Sequence, residues 1–176
     1  MLNKLSAEKF VLKLGHLLEK IEFSISIKNE IELEYAILPY IKKFLQKNLV
    51  LNKNLEGVLY HHGRNEQEKE QWTKSKSLQT VKLFGDNVSD IFIVHKKIGA
   101  IALELKYAKL PSGSKGLTAH IQRAIGQCLI AKLRHPFVIC AIFYNKRQKN
   151  LKPGLFMPLK KLLWNKHKIY LIIKGI

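Results

Sequence analysis

Two apolar runs of this chain are interrupted by charge at matching places. The first reads Ser89-Asp90-Ile91-Phe92-Ile93-Val94, and the second reads Ile101-Ala102-Leu103-Glu104-Leu105-Lys106. An ionised group inside an apolar strand costs on the order of several kcal/mol unless it is paired or binds a metal. Side chains alternate along a strand, so Glu104 and Lys106 share one face. Leu103, Leu105 and Tyr107 take the other, and Ala100 and Ala102 leave room beside the charged pair. A small metal site with an attached cation would be built this way. Mg²⁺ prefers hard oxygen ligands and keeps several waters. Asp90 and Glu104 would supply two carboxylates, the Leu105 carbonyl a third oxygen, and Mn²⁺ could substitute. Lys106 would lie near a metal-bound water, where an ammonium favours hydroxide and can hold a phosphate. The chemistry suited to such a set is hydrolysis of a phosphodiester by in-line attack.

The charge of the chain points to the same substrate class. Its 176 residues carry 31 Lys and Arg against 13 Asp and Glu, a formal net charge of +18. Residues 1–70 are nearly balanced, with 11 bases and 10 acids, whereas residues 71–176 hold 20 bases and three acids, Asp86, Asp90 and Glu104. Two of the three acids in the basic segment therefore belong to the charged pair of strands. Such an imbalance marks a polyanion partner, and nucleic acid is the usual one. No apolar run reaches bilayer length and no signal-peptide pattern opens the chain, so a cytoplasmic protein without membrane contact is expected. Cys128 and Cys140 form no Cys-x-x-Cys pair and read as reduced, buried small residues.

Other elements must position the charged residues. Phe10, Leu14, Leu17, Leu18 and Ile21 recur at helical spacing after a start near Ser6. Residues 22–28 alternate and read as a short strand or an extended linker. Asn29 is placed to cap a helix over about 30–47, in which Pro39 predicts a kink or a late start. Residues 48–80 are polar and weakly patterned. Within them His61-His62-Gly63 reads as a turn, and residues 65–72 as a short helix or loop. Trp72 and Tyr107 are weighed as base-stacking residues against the commoner role of aromatics in a core. A short strand is expected at 81–84, then a hairpin of 88–95 with 98–107 across Lys96-Lys97. Leu110–Gly116 reads as a loop in which Lys115 and its neighbouring amides could grip a phosphate. Thr118 would cap a helix to about Arg134 with Ile121, Ile125, Leu129 and Leu133 on one face. Phe137–Tyr144 reads as a strand buried on both faces. A loop with Lys146, Arg147 and Lys149, a helix over 155–165 and a strand over 168–173 complete a mixed α/β sheet flanked by helices.

Asp90 followed by Glu104-Leu105-Lys106 resembles the core motif of the PD-(D/E)XK nuclease superfamily, whose fold is restriction-endonuclease-like, with Ser89 standing where the motif has proline. On size and basic charge the chain is most similar to archaeal Holliday-junction resolvases and small archaeal or viral nucleases. The resemblance spans about residues 30–145 in the order of elements, and its specific part is the motif. It implies a metal-dependent nuclease acting on duplex or branched DNA, with Mg²⁺ as cofactor. It also implies a carboxylate from the first core helix. Glu30, Glu32 and Glu34 are candidates, and Glu34, which starts the best apolar face, is favoured, with Glu30 second. A glutamine on the helix after the motif is a further implied site residue, offered by Gln122 and Gln127, with Arg123 beside Gln127. Gly126 would let that helix pack closely on the sheet. The iron–sulfur members need four cysteines, and this chain has two. One nuclease domain is expected, with a helical extension over 1–28, a catalytic core over 30–145 and a closing helix and strand over 146–176. Cutting both strands of a duplex would call for a homodimer. Two rival readings stand beside this one: a non-catalytic nucleic-acid-binding protein, and an RNA-processing nuclease.

Overall fold

The computed structural model describes residues 4–24, 26–49, 51, 55–63, 65–79, 89–108, 115–145 and 154–176. Ten elements follow one another in it: α1 (Lys4–Lys20), α2 (Glu30–Leu49), β1 (Leu59–His61), α3 (Glu66–Gln79), β2 (Ile91–His95), β3 (Gly99–Ala108), α4 (Lys115–Lys132), β4 (Phe137–Tyr144), α5 (Met157–His167) and β5 (Ile169–Gly175). The strands lie in sequence order in one five-stranded sheet. β1, β2 and β3 are antiparallel neighbours, while β3, β4 and β5 run parallel. In the antiparallel part β1 reaches β2 through α3, whereas β2 and β3 are joined by a tight turn. In it Ile98 N–H donates to the His95 carbonyl at 3.0 Å, and Gly99 takes φ +73°, which a side chain would disfavour. The parallel part needs crossovers, and α4 and α5 supply them.

The sheet separates two apolar layers. Ile101, Leu103 and Leu105 of β3 face one side with Ile139, Ala141 and Phe143 of β4, under Leu14 and Leu18 of α1 and Leu33, Ile37 and Ile41 of α2. Ala102 and Ala108 face the other with Val138, Cys140 and Ile142, under Ala124 and Cys128 of α4 and Leu163 of α5. β4 is covered on both sides, and all eight of its residues are buried, as its unbroken apolar run predicts. The mixed α/β architecture expected from the order of elements is the one found.

Local chemistry explains the helix starts and stops. The Asn29 side chain accepts the Glu32 N–H at 2.8 Å, and Glu32 accepts the Lys28 N–H at 2.8 Å, so the opening amides of α2 are met by side chains. With that cap the helix starts at Glu30 and runs through Pro39 to Leu49, and the late start considered for it does not occur. α5 stops at Lys168, which adopts the left-handed conformation (φ 55°) and returns its N–H to the Trp164 carbonyl at 3.0 Å.

Several sequence expectations are corrected. Residues 22–28 form no strand among the described residues. His61 ends a short strand where a turn was expected, and the turn comes at Gly63, with φ +69°. The helix expected over 65–72 continues to Gln79, because Trp72, Ser75 and Gln79 give it a narrow buried stripe that bulk polarity hides. α4 begins at Lys115, ahead of Thr118. Its buried face runs Leu117, Ile121, Ala124, Cys128 and Ala131, while Leu129 and Leu133 are exposed. A strict spacing of four drifts round a helix of 3.6 residues per turn, so the larger apolar residues mislead and the small ones mark the true face. Gly126 has open space where a Cβ would stand, so it is not there for close packing. The strand expected at 81–84 and the loops at 110–114 and 146–150 lie outside the described residues.

Candidate functional site

The register of the hairpin builds the site. β2 pairs with β3 only as far as Ile91 opposite Leu103, while β3 continues to Ala108 beside β4. Among the described residues no strand pairs with that edge of the second half of β3. Asp90, the residue before β2, closes its first position: its carboxylate accepts the Leu105 N–H at 2.6 Å. A side chain has taken the place of a missing strand, and this explains an aspartate at the mouth of an apolar run.

Alternation puts Glu104 and Lys106 on the α4 side of the sheet, with Ala102 and Ala108. Glu104 is only 2% exposed. Burial raises its pKa to about 8, the negative charge of Asp90 adds to the shift, and the neighbouring Ser89 opposes the rise. Asp90 is also raised by burial, against the opposing pull of Lys106 and the Leu105 amide. Burial works against the charge of Lys106, but Asp90, Glu30 and Glu104 outweigh it, and its pKa is raised. The Lys106 Nζ lies 3.9 Å from Asp90 and 3.5 Å from Glu30. Glu30 belongs to α2 on the opposite face, and the absence of a β2 residue beside Lys106 leaves the lysine a path round that edge. Asp90, Glu104, Lys106 and Glu30 thus act as one electrostatic group.

Glu34 sits one helical turn further on and has other partners. Its carboxylate is 3.5 Å from His61 and 3.4 Å from His62, and it accepts the His62 backbone N–H at 3.2 Å. Burial would raise its pKa, but the two histidines together lower it. The bond to Glu34 raises His62 in turn, against burial, and Asp90 adds to the rise. His62 stacks against the buried Trp72 at 4.5 Å, so Trp72 is a core residue. Tyr107 is likewise partly packed into the α1–α2 layer. A cavity of about 280 Å³ has Glu30, Glu34, His62, Asp90 and Leu105 on its wall, while Glu104 and Lys106 lie beside it and do not line it. Of the helical acids, Glu30 is the one that meets Lys106, whereas Glu34, favoured from the apolar pattern, is held by histidines at the side of the same cavity. Glu32 is taken up by the helix cap.

The residues expected to touch nucleic acid are spread more widely. Gln122 and Arg123 stand on the exposed side of α4. Gln127 is half-buried, and its Oε1 is enclosed without a hydrogen-bond partner. Lys115 opens α4, and the phosphate grip expected of its side chain lies outside the described residues. Sequence reasoning missed Ser89, which had a signal, since a serine in the proline position supplies a donor that proline lacks. The His61-His62 pair, weighed as metal ligands or DNA contacts against a plain turn, is held by Glu34.

Among the described residues no three His, Cys, Asp or Glu side chains converge as a ready-made metal cage. The donor set is nevertheless of the kind that a hexahydrate-derived Mg²⁺ accepts, since that ion is commonly held by one or two carboxylates and keeps waters for the rest. Glu104 is buried beside the half-buried Asp90, whose charge adds to the rise in its pKa, and a cation there would relieve it. Asp90 and Glu104, with the Leu105 carbonyl, are the residues that could hold it.

The chain matches no protein-family model, no curated protein and no solved structure.

Proposed function

We propose that this chain is a metal-dependent nuclease of the restriction-endonuclease-like kind, hydrolysing DNA phosphodiester bonds. One observation carries the reading: the buried Glu104 and the half-buried Asp90 and Lys106 form one interacting group beside the part of β3 that β2 does not pair. A structural ion pair would need one acid for one base. Here these two carboxylates and Glu30 surround one ammonium, and the excess negative charge suits a divalent cation.

Asp90 and Glu104, with the Leu105 carbonyl, would hold the ion, and bound Mg²⁺ or Mn²⁺ would supply a lowered water pKa and charge neutralisation for the phosphoryl group. The Leu105 amide fixes the Asp90 carboxylate. Lys106 keeps its proton under the pull of three acids, so its role is to bind a phosphate oxygen and not to act as a base. Glu30 holds that ammonium at the cavity until a phosphate replaces it. His62, whose pKa is raised, presents a second cationic group on the cavity wall. The surplus of bases in residues 71–176 provides backbone affinity without sequence readout. The setting is cytoplasmic, the partner is duplex or branched DNA, and a homodimer would supply one site per strand.

The test is cleavage of linear, circular, branched and single-stranded DNA, and of RNA, with Mg²⁺, Mn²⁺ or chelator. Metal-dependent cleavage is expected, lost in Glu104→Ala and Asp90→Ala. Binding without cleavage under every metal would replace the enzyme by a binding protein, and a preference for RNA would move the substrate class.

A further inference from the structure

A second charged feature lies well away from the acids. Between α1 and α2, on the outer side of those helices, is a groove of about 660 Å³. Lys13 and Lys20 of α1 and Lys43 and Lys47 of α2 line it, with Tyr40 and Phe44 between them. All four lysines are exposed, and Tyr40 is 41% exposed. None of the four has an ion-pair partner among the described residues, although this half of the chain carries nearly as many acids as bases.

The reason is segregation. Glu8 is paired with Lys168 at 2.8 Å, and Glu19 with Lys160 at 2.7 Å and with the Tyr170 hydroxyl. Glu30, Glu32 and Glu34 all stand in the first turns of α2, engaged by Lys106, the helix cap and the histidines. The two helices thus send their acids inward or to one end and leave a strip of lysines that no internal charge neutralises. A balanced half-chain has produced a local cationic groove that composition by segment does not reveal.

We propose that the α1–α2 groove binds the phosphate backbone of a nucleic-acid strand, as a second contact surface outside the cleavage cavity. Lysines on both walls suit a polyanion, and an exposed tyrosine over a partly buried phenylalanine suits an unpaired base better than it suits an acidic peptide. Along α2, Lys43 lies 13 residues beyond Glu30, which is about 20 Å of helix. A strand reaching from the cavity to the groove would therefore take about six nucleotides if stacked at 3.4 Å each, and fewer if extended. The proposal takes its ligand class from the nuclease reading, but not its geometry.

Anisotropy of labelled oligonucleotides in chelator, with Glu104→Ala protein so that cleavage plays no part, decides the matter. The fourfold variant Lys13→Ala, Lys20→Ala, Lys43→Ala, Lys47→Ala should bind a strand of about 20 nucleotides at least tenfold more weakly, and its logarithmic salt slope should flatten by about 3. The corresponding fourfold Lys→Arg variant should bind the long strand normally, and Tyr40→Ala should weaken single-strand binding about tenfold. An unchanged affinity and slope for the long strand overturns the proposal. So does loss of poly-glutamate binding with DNA binding intact, which would make the partner an acidic protein. If the fourfold variant fails to fold, Lys43→Glu with Tyr40→Ala gives the same decision. Absence of cleavage by the unsubstituted protein would remove the nuclease reading and leave this outcome to stand by itself.

Discussion

At the scale of residues, burial decides what each charge can do. Glu104 would be an ordinary carboxylate on a surface, and enclosure beside Asp90 makes it a group that gains from a cation. In chelator above pH 8, where Glu104 is ionised, Glu104→Gln should raise the melting temperature, since an isosteric amide removes a buried charge. Adding Mg²⁺ at about 100 times its Kd should stabilise the unsubstituted protein by about 2.7 kcal/mol and leave Glu104→Gln largely unmoved. Thermal melts with and without the ion check both. His135 gives the reverse case, a base kept neutral. It is 2% exposed against Phe92, its Nε2 has no partner, and burial with help from Arg134 and Lys132 lowers its pKa from 6.5 to about 4. The unfolded chain then binds more protons than the folded one between those values, so stability falls as pH drops from 6.5 towards 4. The loss attributable to His135 is up to about 3 kcal/mol. Urea titrations across that range should show His135→Leu without this part of the acid sensitivity.

At the scale of elements, the edge of β3 that β2 leaves unpaired is what turns a strand into a site. Had β2 begun two residues earlier, Leu105 would have paired with backbone and Asp90 would have had no amide to accept. α1 is tied to the far end of the sheet by a different device. Gly15 faces the Tyr170 ring so closely that an added Cβ would stand 2.5 Å from two of its carbons. The ring cannot easily swing away, because its hydroxyl is bonded to Glu19 and Trp164 and His16 pack against it. Gly15→Ala is therefore expected to destabilise by about 1–3 kcal/mol, despite the better helix propensity of alanine. Denaturant midpoints should show this, with partial recovery in Gly15→Ala combined with Tyr170→Leu. β2 to β5 and the long apolar helices were legible because their patterns are carried by large side chains, whereas β1, only three residues long, was not. α3 and the true face of α4 were not, because Ser75, Gln79, Ala124 and Cys128 do their packing with small or polar groups.

At the scale of the whole molecule, the N-terminal helix is part of the core. Val11, Leu14 and Leu18 are fully buried against the sheet and α2. Each such side chain is worth roughly 1.5–3 kcal/mol, against a total stability of about 5–15 kcal/mol for a domain. Removing residues 1–28 should accordingly abolish the cooperative melt, and circular dichroism on the truncated chain would show it; a normal melt would mean the helix only decorates the fold. Among the described residues no helix is long and apolar enough to cross a membrane. The charge of the molecule is arranged in three parts: the acidic cavity, the bases that dominate residues 71–176, and the lysine groove of α1 and α2.

That Asp90, Glu104 and Lys106 come together could be read from the chain alone, because an apolar strand that carries charge must account for it locally, and alternation already assigns the faces. The mixed sheet was readable for the same reason, since burial of both faces of Phe137–Tyr144 is written in consecutive apolar residues. Only the tertiary structure could decide which helical acid meets Lys106. Glu30 and Glu34 lie one turn apart on α2, and the choice between them depends on where β3 loses its neighbour and where His61 and His62 arrive from β1. Those are distances between segments far apart in the chain, and side-chain periodicity within one helix carries no information about them.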